Sequence, residues 1–172
     1  MLTLRIALDS SEFSITYCPS PNYDERPDGV VIDTVVLHAT VLNSLEEVIA
    51  KFADPEARVS AHYTIDRNGQ IAAHVPEHQR AWHAGQSQME DGRVAVNAFS
   101  IGIEMVNLND GIDPYPESQI QALRRLLKGI IARHPIQYLV THQECAMPPG
   151  RKSDPLGFDM AWVWDVLARP LT

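Results

Sequence analysis

Three side chains in this sequence carry donor atoms suited to a divalent cation: His38, His142 and Asp154. Two imidazoles and one carboxylate form a ligand set of catalytic zinc, because three protein ligands leave a fourth position for water. His38 closes the β-branched run "VVIDTVVLHAT", and His142 follows the apolar couplet Leu139-Val140. Two histidines that both end strands can meet at one end of a sheet, where open α/β sheets collect their sites. Asp154 lies in "THQECAMPPGRKSDP", residues 141–155, which holds three prolines and one glycine. So little apolar material cannot anchor that loop by burial, whereas a bound metal can. The plainer alternative remains open at this level: two satisfied core histidines and a solvated loop.

Two further groups could act beside these. Glu104 sits inside the apolar run "FSIGIEMV", residues 99–106. An unpaired carboxylate there is costly, so it is either a salt-bridged structural group or a functional one. Lys152 stands two residues before Asp154, and most lysines are simply solvated. Cys145 reads as a buried neighbour of the loop and not as a ligand.

The elements that must position these groups alternate between strand and helix. Leu2, Leu4, Ile6 and Leu8 alternate as in a half-buried strand. Residues 18–29, "CPSPNYDERPDG", form an irregular arm. The run ending at His38 predicts a strand covered on both faces. Ser44 and Glu47 form a capping box ahead of a short helix carrying Leu45, Val48, Ile49 and Phe52. Residues 61–75 predict a hairpin, with Asn68-Gly69 taking both positive φ angles of a type I′ turn. Residues 76–98 read as a long surface loop. A strand follows at 99–106, then a helix over 117–133 with Ile120, Leu123, Leu127, Ile130 and Ile131 on one face and Pro116 in its first turn. A brief strand at Leu139-Val140 and a last helix over roughly 159–168 complete the pattern. The interleaving predicts an α/β domain, a central mixed sheet flanked by helices with the metal site at one end.

Composition narrows the partners. In 172 residues, 45% are hydrophobic and 21% charged, an ordinary globular mixture. The net charge of −8 argues against nucleic acid, whose binders carry a basic footprint. No apolar run is long enough to span a bilayer, so no membrane partner is expected. Two cysteines, Cys18 and Cys145, make no disulfide framework, and with no secretory signal pattern at the N-terminus a cytoplasmic location is expected.

Four blocks then carry a resemblance: "VVLHAT", "VSAHYTIDRNGQIAAHVPEHQRAWHAG", "NAFSIGIEMVN" and "THQECAMPPGRKSDP". In this order they resemble the zinc-dependent N-acetylmuramoyl-L-alanine amidases of the type-2 amidase family, AmpD-like enzymes related to peptidoglycan recognition proteins. The resemblance runs from about residue 18 to 167. The chain is expected to divide into an N-terminal strand and irregular arm, 1–29, and an amidase domain, 30–172. The resemblance implies that His38, His142 and Asp154 bind zinc, that Glu104 is the acid–base carboxylate, and that Lys152 is the cation beside the scissile carbonyl. It further implies substrate contacts from Trp82, His83 and Asn97. The implied reaction is hydrolysis of the amide between N-acetylmuramic acid and L-alanine, in peptidoglycan or soluble muropeptides. Zinc lowers the pKa of bound water from about 15.7 to about 7, which suits so poor an electrophile.

Two departures from the family pattern stand out. Ala61 precedes His62 where some relatives have a catalytic tyrosine, which leaves the catalytic work to Glu104. Leu156 intervenes in "DPLGFD", where many relatives pass directly from proline to glycine. Two alternatives use the same residues: a non-catalytic peptidoglycan-binding module, and a zinc peptidase acting within the stem peptide. A module that only binds would be free to lose Asp154, Glu104 or Lys152, and all three are present.

Overall fold

The computed structural model describes residues 14–167 and the backbone of residues 3–5. Of the predicted N-terminal alternation, only position 4 falls in that range; Leu2, Ile6 and Leu8 lie outside the described residues, as does residue 168 of the last predicted helix. The strands are β1 (Thr3–Arg5), β2 (Ser14–Tyr17), β3 (Tyr23–Glu25), β4 (Thr34–Ala39), β5 (Tyr63–Ile65), β6 (Ile71–Ala73), β7 (Gln79–Ala81), β8 (Ser100–Met105) and β9 (Tyr138–Thr141). The helices are α1 (Leu45–Ala53), α2 (Glu117–Arg133), α3 (His142–Cys145) and α4 (Trp164–Leu167). The main sheet runs β1-β2-β6-β5-β8-β4-β9, and β3 pairs with β7 as a separate ribbon. Strand β4 is parallel to both β8 and β9, β8 is parallel to β5, and β5-β6 is antiparallel, so the sheet is mixed as predicted.

Strand alternation decides which side chains reach the site. All six residues of β4 and all six of β8 are buried. Val35, Leu37, Ile101, Ile103 and Met105 face α2, packing on Ile120, Leu123, Leu127 and Ile130. With a period of two, Val36 and His38 on β4 and Gly102 and Glu104 on β8 must point to the opposite face. The register pairs Val36 with Gly102 and His38 with Glu104. A one-residue slip would bury both polar side chains under α2, so the hydrophobic pattern itself fixes where they emerge.

Several local expectations change. The β5-β6 hairpin forms, but Asp66 N donates to Gln70 O, leaving the three-residue loop Arg67-Asn68-Gly69. Only Gly69 takes a positive φ there, +86°. Asn68 instead accepts from Gln70 N through Oδ1, so this is a turn with a glycine bulge and not type I′. Ser44 caps α1 by accepting from Glu47 N, while Glu47 returns to Asn43 N, one residue earlier than a capping box requires. Pro116 is the N-cap of α2, just outside its first turn. The region 76–98 is not a surface loop: His83, Ala84, Ser87, Met89 and Val96 are buried. No helix among the described residues is long and apolar enough to cross a membrane.

The arm is fastened to the sheet by a buried cation. Arg26 donates to the carbonyls of Glu77, Asn97, Ala98 and Ser100 at 2.8–3.1 Å. Burial lowers its pKa to about 10, which leaves it charged at neutral pH. Next to it Glu77 accepts from Tyr63 Oη (2.8 Å), Arg133 Nη2 (2.7 Å) and His134 Nε2 (2.7 Å). Burial alone would raise the Glu77 pKa, but Arg133, His134 and Tyr63 together lower it to about 2. Its unfolded value is near 4.5, so the stabilisation is complete above pH 4.5 and is lost as pH falls through 2. We expect Glu77→Gln to lose about 2–3 kcal/mol at pH 7 and progressively less towards pH 3, measured by urea unfolding.

Candidate metal centre and its surroundings

Strand β4 ends by delivering His38, and β9 ends by delivering His142 as the first residue of α3. Thr141 caps that short helix with a reciprocal box to Glu144, which fixes the angle at which His142 leaves the sheet. Asp154 is tied to the same turn, because its carbonyl accepts from Gln143 N at 2.9 Å. Asp154 Oδ2 then lies 3.0 Å from His142 Nδ1 and 3.4 Å from His38 Nδ1. The donor atoms of the three residues all fall within 4.8 Å of one another, and all three residues are buried. Tetrahedral bonds of about 2.0–2.1 Å place ligand atoms about 3.3 Å apart, so the spacing suits a small divalent ion.

Hydrogen bonding at the far side of each ring says what that space needs. His142 Nε2 lies 3.2 Å from the Ala84 carbonyl, an acceptor only, so Nε2 carries the proton. His38 Nε2 faces His83 Nδ1 at 3.0 Å. With Nε2–H on both rings, two Nδ1 lone pairs and a carboxylate oxygen point at one another. Three acceptors this close repel unless a cation lies among them, and the donor set therefore fits a metal. Burial lowers His38, to about 4, so its imidazole is neutral at neutral pH.

Glu104 stands beside this cluster on β8. Its Oε2 is buried with no hydrogen-bond partner among the described residues. Burial pushes its pKa up to about 8, the Asp154 charge adds to the rise and Lys152 opposes it. A structural salt-bridged glutamate would show the reverse shift. A cavity of about 190 Å³ opens over these groups, lined by His38, His83, Glu104, His142, Lys152 and Asp154 and by Thr40, Leu42, Val48, Lys51, Phe52 and Val59 on the α1 side. Cys145 is not in the cluster; it is buried with Val36, Ala84, Val96 and Phe99, and burial raises its thiol to about 11.

Of the three expected substrate contacts, His83 lines this cavity. Trp82 and Asn97 do not line this cavity. Trp82 donates its backbone N–H to Ser60 Oγ, and its indole hydrogen-bonds Asp24. Asn97 spends Oδ1 on Ala84 N at 2.8 Å. His83 is buried behind His38, with Nδ1 against His38 and Nε2 3.2 Å from Ser100 Oγ, so neither ring nitrogen is free for a ligand. His83 braces His38 directly, and Asn97 holds the backbone of Ala84, whose carbonyl accepts from His142. Arg151 reinforces it by donating to the carbonyls of Ala84 and Gln86 at 3.0 and 2.8 Å.

Sequence reasoning missed Asn109. Its Nδ2 donates to Ser153 Oγ (3.1 Å) and its Oδ1 accepts from Leu156 N (2.6 Å), gripping the chain on both sides of Asp154. Asn109 takes a φ of 56°, a conformation asparagine tolerates better than most residues. The extra Leu156 is accommodated by this grip and by Tyr115, whose hydroxyl reaches the Leu156 carbonyl at 3.3 Å. The run "NLNDG" was the available signal, since Asn and Gly cluster where backbone turns tightly.

Comparison with known proteins agrees with this geometry. Residues 28–157 match the family described as N-acetylmuramoyl-L-alanine amidase. The chain is 36% identical over 156 residues to the 1,6-anhydro-N-acetylmuramyl-L-alanine amidase AmpD of Escherichia coli K12, covering 80% of this chain and 82% of that protein. A crystal structure of a selenomethionine derivative of AmpD superposes with a TM-score of 0.78 at 34% identity, covering 88% of this chain and 93% of that one. The E. coli amidase AmiD, solved with anhydro-N-acetylmuramic acid-L-Ala-D-γ-Glu-L-Lys, gives 0.69 at 30% identity, covering 84% of this chain and 65% of that one. The family match over residues 28–157 and the relatives that cover most of both chains together show that the chain belongs to the N-acetylmuramoyl-L-alanine amidase family.

Proposed function

We propose that this protein is a zinc hydrolase that cuts the amide between the lactyl group of N-acetylmuramic acid and L-alanine, acting in the cytoplasm on soluble 1,6-anhydro-muropeptides. The observation that carries the chemistry is the set of three mutually facing acceptors beside a buried carboxylate without a partner. The substrate reading draws on AmpD, whose name specifies a 1,6-anhydro-N-acetylmuramyl-L-alanine amide, and the location on two unpaired cysteines.

His38, His142 and Asp154 would hold the ion, which supplies an activated water and polarises the scissile carbonyl. The amide also needs a proton on its departing nitrogen. Glu104 performs both transfers, taking the proton released by the attacking water and handing it to the leaving amine. A carboxyl group raised towards neutral pH suits that double role, since it must accept and then release. Lys152 balances the negative charge that grows on the carbonyl oxygen, an effect worth roughly 3–4 kcal/mol per donor in comparable sites. Tyrosine assistance is absent at position 61, so no other acid–base group is assigned.

Digestion of a 1,6-anhydro-muropeptide by the zinc-loaded protein tests this, with mass and end-group analysis of the products. New free amino termini on L-alanine are expected. Cleavage inside the stem peptide instead would identify a peptidase, and tight binding without cleavage would identify a recognition module.

A further inference from the structure

The rear of the metal centre contains a chain of hydrogen bonds whose proton positions can be deduced one after another. Val96 O is a carbonyl and only accepts, and Ser100 Oγ lies 2.7 Å from it, so the hydroxyl proton of Ser100 points there. Ser100 has then spent its one proton. It must accept from His83 Nε2 at 3.2 Å, which puts a proton on that nitrogen. A neutral imidazole protonated at Nε2 presents a lone pair at Nδ1. His83 Nδ1 therefore accepts from His38 Nε2 at 3.0 Å, and His38 is left with its own Nδ1 lone pair turned towards Asp154 and His142. Every residue in the series is buried, so no water competes for these positions.

A second observation shows that the place of His83 is built. Its ring lies flat against Gly102, and a Cβ on that glycine would stand 2.4 Å from His83 Cγ. Gly102 is the register partner of Val36, two residues before both His38 and Glu104 on the same sheet face. The glycine of "SIGIE" thus makes the slot that the histidine of "RAWHAG" fills. The ring stands edge-on to His38, with centroids 5.1 Å apart and planes at 83°, the arrangement that aims one ring's N–H at the other's nitrogen.

We propose that His83 is a positioning residue for the metal: anchored through Ser100 to the Val96 carbonyl, it fixes the proton of His38 on Nε2 and so dedicates His38 Nδ1 to the ion. This rests on the zinc reading above. Ligating histidines commonly give their second N–H to a carbonyl or carboxylate; here a second imidazole takes it, and that imidazole's own tautomer is set two bonds further back.

The full-length protein tests it without recourse to turnover. Zinc affinity would be measured by chelator competition for the wild type, His83→Phe, His83→Asn and Ser100→Ala, and long-range proton–nitrogen NMR would locate the ring protons of His38 in the zinc-loaded wild type. His38 should carry its proton on Nε2. His83→Phe keeps the ring shape but offers no acceptor, and should weaken zinc binding by about 10–100-fold. His83→Asn restores an acceptor near the old Nδ1 and should recover most of that loss. Ser100→Ala, the mildest change, should weaken zinc in the same direction and by less, which keeps the idea testable if His83→Phe does not fold. A proton on His38 Nδ1, or unchanged zinc affinity in both His83→Phe and Ser100→Ala, overturns the proposal while leaving the zinc reading intact. A wild-type chain that binds no zinc at all overturns both.

Discussion

Asp154→Ala should lose zinc and turnover together. The variant leaves two imidazoles without the anionic ligand, and the metal contribution to the barrier is worth several kcal/mol, on the order of 10³-fold or more in rate. The fold should survive, because the contact that ties residue 154 to α3 is made by its backbone carbonyl, to Gln143 N. Asn109 also holds the segment through Ser153 and the backbone of residue 156. Metal analysis and unfolding curves on the same preparation check the two halves. A variant that still binds one zinc per chain would remove Asp154 from the ligand set.

Glu104→Gln should separate metal from chemistry. Zinc content should match the wild type, while kcat falls by about 10²–10⁴-fold, the usual worth of a positioned acid–base group. The metal-free protein gives a sharper signature. Glu104 has its pKa raised from 4.5 to about 8, so the folded state holds a proton between those values that the unfolded state has released. Wild-type stability must therefore fall as pH rises from about 4.5 to 8 on account of this group, with no further change above. Glutamine has nothing to release. Metal-free Glu104→Gln should be the more stable protein at pH 8, by an amount on the order of a few kcal/mol, and the gap should close towards pH 5. An ion-paired structural glutamate would give the opposite sign. Inactivation accompanied by stabilisation is what a residue kept for chemistry at the expense of the fold produces.

The fold was legible where side-chain pattern and packing agree. The strands at His38 and at 99–106 announce themselves by apolar, β-branched runs, whereas the face that carries His38 and Glu104 emerges only from the packing of their neighbours on α2. The three donor residues could be picked out by type, and the structure brings their atoms together. The bracing behind them was hidden for a physical reason. Ala84 contributes a carbonyl that holds both His142 and Arg151, and a backbone oxygen leaves no trace in residue identity. His83 and Asn97 were expected at the substrate from the resemblance alone, and the inward hydrogen bonds they make to His38 and to Ala84 N were not legible from residue type. Their loop is drawn inward by Ala84, Met89 and Val96. The turn at Asn68-Gly69 shows the same limit on a smaller scale: the dipeptide marks a turn, but where the ladder resumes, at Asp66 and Gln70, decides its type.

The position of "RAWHAG" alters how a mutational scan of this enzyme must be interpreted. Changes at His83 should lower activity through the metal, and a screen on turnover alone would score them as recognition determinants. Selectivity for one muropeptide over another has to be sought on the opposite wall, around Leu42, Lys51 and Val59. There, substitutions can reshape what enters without disturbing the scaffold that holds the ion.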